Sequence, residues 1–174
     1  MNDFTDTNYF ELFGLTPRFS IDLNTLEQSF RQLQAEVHPD RHTSHTKAEQ
    51  RLALHQSTII NDGYHTLRNP SSRAQFLIHL SGKAEAAPAL STTFLMAQME
   101  WREAVEEARA SRDITVLEAL ARRLRHRVNV QLDELATVLD ERGDFITAEL
   151  RVNELRFYEK LRIEIEDAID WINS

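Results

Sequence analysis

Apolar residues recur along the chain at steps of three and four and rarely alternate, so the pattern predicts helices throughout. Near the start, Tyr9, Phe10, Leu12, Phe13 and Leu15 crowd a short segment. A helix is predicted over 8–13, capped by Thr7 and ended by Gly14, and its density of large side chains predicts burial. Leu26, Phe30, Leu33 and Val37 follow at steps of four, three and four. They mark one face of a second helix, capped by Asp22 or Asn24 and stopped by Pro39; Asn24 and Glu27 have the capping-box spacing. After a polar loop over 40–46, Leu52, Ile59, Ile60, Tyr64 and Leu67 predict a third helix over 47–67. It folds back on the second as an antiparallel hairpin. Asn69-Pro70 ends it, and Phe76, Leu77 and Leu80 mark a fourth helix over 71–80, closed by Gly82.

The segment over 81–91 is small, contains Gly and Pro, and has little to bury, so it is predicted to connect two units. Beyond it, three longer stretches are predicted over 92–109, 114–142 and 145–172. Leu117, Leu120, Leu124, Val128, Leu135 and Leu139 stay largely in phase on the second of these. Leu155, Tyr158, Leu161, Ile165, Ile169 and Ile172 do so on the third. Two stripes of this length need a common partner, and three helices close one core. The expected fold is all-α: a hairpin-based domain over 1–80, a linker over 81–91 and a three-helix bundle over 92–174. The scarcity of turn residues, four Gly and four Pro in 174, argues the same way.

Charge narrows the partners. The net charge is −8, with seven Lys/Arg against nine Asp/Glu in 1–80 and 13 against 19 in 81–174. Neither half offers the positive footprint that a phosphate backbone requires, so no nucleic-acid partner is expected. With no cysteine, thiolate metal sites and disulfides are excluded, and no cofactor is expected. The polar stretch over 1–9 lacks the apolar core of an export signal, and no apolar run approaches the roughly 20 residues needed to span a bilayer. A soluble cytoplasmic monomer without a membrane partner is the expectation.

His38-Pro39-Asp40 carries the most chemistry. Alone, the tripeptide can mean no more than a proline ending a helix and an aspartate capping a turn. At the tip of a hairpin it gains meaning. Proline restricts the backbone, Asp40 offers two acceptor oxygens suited to a bidentate arginine, and His38 offers a donor and an acceptor. A catalytic His–Asp dyad is disfavoured, since no nucleophile or glycine-rich oxyanion loop accompanies it. His38, His42 and His45 lack the spacing of a tetrahedral metal set. On helix geometry, Leu95, Met96 and Met99 share one face of the first bundle helix, with Glu100 and Glu103 continuing it. Phe157 lies out of phase with the main seam and could be exposed; the alternative is that all four apolar residues are core. Arg122, Arg123, Arg125, His126 and Arg127 form either a docking patch or, more simply, a solvated helix face with intrahelical acidic partners.

Tyr9-Phe10-Glu11-Leu12-Phe13-Gly14-Leu15, the helix ending in His38-Pro39-Asp40, and Asn61 to Leu67 followed by Asn69-Pro70 together resemble the J domain, which stimulates DnaK-class chaperone ATPases. The stretches Thr93 to Glu103 and Val152 to Arg162 resemble HscB, the J-type co-chaperone of iron–sulfur cluster assembly, and this likeness spans essentially the whole chain. It implies no enzyme activity of the chain's own. It implies two partners: HscA, a specialised DnaK-class ATPase engaged by His38, Pro39, Asp40, Arg31 and Arg41, and IscU, the cluster scaffold, engaged by Leu95, Met96, Met99, Glu100, Glu103 and Phe157. The chain departs from general J domains in one respect. Between Asn24 and Val37 only Arg31 is positive, which predicts weak long-range attraction to an acidic chaperone surface. A J protein serving a different client, with an unrelated helical cargo domain, is the alternative. A small helical enzyme or metal protein in which the tripeptide is incidental is the third possibility.

Overall fold

Caps and proline set the breaks between helices in the computed structural model, which describes residues 7–37, 46–83 and 89–173. All regular structure among these residues is helical. The chain divides into two compact units, one ending at Gly82 and the other beginning at Lys83.

In the first unit, α1 (Tyr9–Leu12) is capped by Asn8 rather than the expected Thr7. Asn8 Oδ1 accepts from the Phe10 amide at 3.1 Å while its Nδ2 donates to Glu11 at 2.8 Å. Gly14 then turns the chain with φ +65. The cap of α2 (Leu23–Glu36) is Asp22, not Asn24. Asn24 lies inside the first turn, where its amide donates to Asp22 at 2.9 Å. Hydrogen bonds from Thr25 and from that amide hold the Asp22 carboxyl below its ordinary pKa. A reciprocal capping box does form, between Thr46 and Glu49 at the start of α3 (Lys47–Arg68).

The α2–α3 hairpin is joined by Phe30 stacked on Tyr64 at 4.0 Å and by Gln34 donating to Asn61 at 2.8 Å. Leu26, Ile60 and Leu67 are buried, whereas Leu33, Val37 and Ile59 are half-buried. Leu52 is 57% exposed, against the expectation that it would pack on α2. With 22 residues against 14, and Gln34 level with Asn61, α3 runs past the end of α2, and Leu52 lies on the overhanging turns. Asn69 closes α3 and caps α4 (Pro70–Leu80), with Pro70 in the first turn where its missing N–H costs nothing. Tyr9 stacks on Phe76 of α4 at 4.7 Å, and α1 presses onto α3 at Gly63.

A Cβ at Gly63 would stand 2.9 Å from the Tyr9 ring and 3.0 Å from that of Phe13. Both rings are buried, so neither can swing away freely. Gly63→Leu is therefore expected to lower unfolding stability by about 1–3 kcal/mol, despite the roughly 1 kcal/mol that helix propensity returns. Urea denaturation measures it. A midpoint equal to or above that of the parent would show that α1 is not pinned against α3.

The second unit packs α5 (Thr92–Ala110), α6 (Ile114–Ala136) and α7 (Phe145–Asn173) around one core. Phe94, Trp101, Val105 and Ala108 face in from α5, Leu117, Leu120 and Leu124 from α6, and Tyr158, Leu161, Ile165 and Ala168 from α7. The single helix expected over 114–142 ends as α-helix at Ala136 and continues as a π-helical segment, Thr137–Arg142. The wider turn leaves the adjacent Val138 and Leu139 both buried. Gly143, at φ +62, ends it, and Asp144 caps the next turn through the Thr147 amide at 3.1 Å.

Candidate partner-binding surfaces

His38, Pro39, Asp40 and Arg41, together with His42 and His45, lie outside the described residues. The segment that carries them has defined ends. The Val37 amide closes α2 by donating to the Leu33 carbonyl at 3.2 Å, and the Thr46 capping box opens α3. Arg31, on the exposed side of α2, is ion-paired with Glu27 one turn earlier. Its charge is thus partly offset before any partner arrives. Among the described residues no cluster of three or more His, Asp or Glu could hold a metal, and no helix is long and apolar enough to cross a membrane.

The expected scaffold face on α5 separates into two groups. Leu95, Met96 and Met99 are 45%, 59% and 62% exposed, and Glu100 and Glu103 are exposed beside them. They occupy the side of α5 opposite Phe94, Trp101, Val105 and Ala108. Three large apolar side chains grouped on one outer face are less ordinary than any one of them alone. Phe157 does not join them on the surface. It is buried, edge-on to Phe94 at 5.7 Å and to Tyr158 at 5.5 Å, with the Arg102 guanidinium over its ring at 5.7 Å. The reason is that α7 packs on both other helices, so its buried arc is wide. Phe157 is four residues before Leu161, which is four before Ile165, and that series was readable in the sequence.

The basic run on α6 also differs from a plain solvated face. Arg122 makes the expected intrahelical pair, with Glu118 at 3.9 Å. Arg123 instead lies over the Trp101 ring at 4.6 Å, and Arg127 Nε donates to the Tyr158 hydroxyl at 3.1 Å. That bond is the main cause of a raised Arg127 pKa. Nearby, a polar network unmarked by any sequence motif crosses from α6 to α7. Glu154, 6% exposed, accepts from Gln131 at 2.6 Å and from Arg151 at 2.8 Å.

Both units have counterparts among known proteins. The HscB homologue of Aromatoleum aromaticum, a co-chaperone, is 45% identical over 170 residues, which cover 96% of each chain. The chain belongs to the HscB co-chaperone family. The model of the HSCB C-terminal oligomerisation domain matches residues 90–166, which takes in α5, α6 and most of α7. The chaperone HscB from Vibrio cholerae superposes with a TM-score of 0.87 at 34% identity, covering 95% of this chain and 99% of the other. The human co-chaperone HscB superposes at 0.84 with 25% identity, covering 92% of this chain and 81% of the other. Membership in the HscB family makes the role regulatory: a co-chaperone works with a chaperone.

Proposed function

We propose that the chain serves iron–sulfur cluster assembly by joining two proteins, the chaperone HscA and the scaffold IscU. Residues 1–80 act as the J domain, with His38, Pro39 and Asp40 docking on HscA, Arg31 and Arg41 flanking them, and the partner's ATPase responding. Residues 92–174 hold IscU through Leu95, Met96 and Met99, with Glu100 and Glu103 as a polar border, while 81–91 link the two. Phe157 supports this face from beneath rather than touching the scaffold with its ring. The chain works in the cytoplasm and carries out no chemistry itself; the coupling is allosteric.

The observation that carries this proposal is the exposed apolar face of α5 in a bundle whose inner face is already filled. Methionines adapt to a partner's relief, and exposed apolar anchors bordered by charge suit a protein interface. Truncating Leu95, Met96 and Met99 together to Ala is expected to weaken capture of IscU by about 1–4 kcal/mol, the range of interface hot spots. Melting should be unchanged, since all three face outward. Isothermal titration with purified IscU measures the change, and full-strength binding by the triple variant would remove this face from the proposal. The free chain is expected to be a monomer, so light scattering should give the mass of one chain, 20.2 kDa. A mass of twice that would overturn the monomer.

A further inference from the structure

We propose that Met96 and Met99 form a reversible oxidation site: peroxide converts both thioethers to sulfoxides, and the oxidised chain releases the scaffold while still engaging the chaperone. The inference rests on the reading of this α5 face as the scaffold contact, and it starts from where the sulfur lies.

The chain has no cysteine and three methionines, at positions 1, 96 and 99. Both methionines among the described residues therefore stand in one patch, three positions apart on α5, where side chains are neighbours. They are 59% and 62% exposed, against 45% for Leu95 beside them. The inner face of α5 carries Phe94, Trp101, Val105 and Ala108, so neither thioether is part of the core. Two sulfur atoms open to solvent are within reach of a small oxidant such as hydrogen peroxide.

The reaction is an oxygen transfer. A sulfur lone pair attacks one peroxide oxygen, and the S–O bond forms as the O–O bond breaks. The departing hydroxide takes the proton left on the transferred oxygen and leaves as water, so sulfur is oxidised and peroxide reduced. Thiol-dependent sulfoxide reductases, one for each sulfoxide epimer, reverse the change: two thiols become a disulfide and the oxygen leaves as water.

The product is polar where the thioether was apolar and adaptable. On the free chain its oxygen stays hydrated, so the core behind α5 is undisturbed. In an interface shaped for a thioether the oxygen has to shed its water, which opposes binding. Side by side, two sulfoxides act on the same contact. The residues assigned to the chaperone, His38, Pro39, Asp40, Arg31 and Arg41, contain no sulfur. Oxidation thus uncouples scaffold capture from stimulation of the ATPase.

The test oxidises the full chain alone with hydrogen peroxide, removes the oxidant with catalase, and titrates purified IscU into the product. Peptide mass spectrometry is expected to find one added oxygen on each of Met96 and Met99. Capture of IscU should weaken roughly tenfold or more. Melting should be unchanged, and stimulation of HscA measured without IscU should be retained. Both reductases with dithiothreitol should restore capture. Met96→Leu combined with Met99→Leu should show the same affinity before and after peroxide. Undiminished capture by the doubly oxidised chain, no recovery after reduction, an equal loss in the double leucine variant, or loss of HscA stimulation would each overturn the proposal. The triple alanine variant of Leu95, Met96 and Met99 separates this proposal from the one beneath it. Full-strength binding by that variant would remove the scaffold face itself; weakened binding by it, with undiminished capture by the oxidised parent, would remove only the oxidation site.

Discussion

Replacing Asp40 by Asn is expected to abolish stimulation of HscA's ATPase while leaving the helices of this chain intact. Ionised aspartate presents two acceptor oxygens, so it can meet both N–H groups of an arginine fork on a partner. Asparagine keeps one acceptor and turns an NH2 group toward the remaining donor, which replaces attraction with donor facing donor. Breaking a docked charge pair in this way costs about 2–5 kcal/mol, most of it from the partner charge left unmatched. Stimulation should therefore fall by more than tenfold at any practical concentration. The fold should not share the loss. The cap bonds described for α2, from the Val37 amide to the Leu33 carbonyl, and for α3, between Thr46 and Glu49, are made by other residues. Steady-state ATP hydrolysis by HscA, with and without the variant, measures the effect, and thermal melting by circular dichroism checks the fold. Parent-like stimulation by Asp40→Asn, or by His38→Gln, would take the tripeptide out of the mechanism.

The helices were legible because each carries its own signals. Asn69-Pro70 marks a boundary between α3 and α4 to within a residue, since a proline in the first turn and an Asx cap are both local chemistry. Caps chosen among neighbours were less legible. Thr7 against Asn8, and Asn24 against Asp22, differ by one or two positions, and the winner depends on which oxygen reaches the first free amides. Features set by tertiary context did not show in the pattern. Leu52 has the right period for the hairpin but lies where α3 overhangs α2. The π-helical segment keeps the apolar residues of the helix before it, and only its buried pair, Val138 and Leu139, betrays the extra residue per turn. On the candidate surfaces, spacing placed Leu95, Met96 and Met99 together, and they are exposed together. It misplaced Phe157 because the seam was traced back from Leu161 through Tyr158 and Leu155, whereas Phe157 also joins Leu161 by a step of four. A helix that touches two neighbours buries a wider arc than one such row, and Phe157 lies within it.

That correction changes what a Phe157 substitution measures. Phe157→Ala is expected to cost about 3–5 kcal/mol of unfolding stability, the usual consequence of emptying a buried aromatic site. The ring packs on Phe94 and Tyr158 and lies under Arg102, so its loss leaves a cavity exactly where α5 meets α7. Since α5 carries Leu95, Met96 and Met99, scaffold capture should weaken as well, but through a loosened support. Two measurements separate the causes. Chemical denaturation gives the stability loss, and titration with IscU well below the melting range gives the binding loss. Phe157→Leu retains most of the apolar volume, so it should recover much of both. Should Phe157→Ala unfold like the parent while losing the scaffold, the ring would have to be a contact that turns outward to meet it. Should Phe157→Leu restore stability but not binding, the aromatic edge itself would be what the scaffold reads. The buried edge-to-face packing predicts neither result: stability and capture should fall together and recover together.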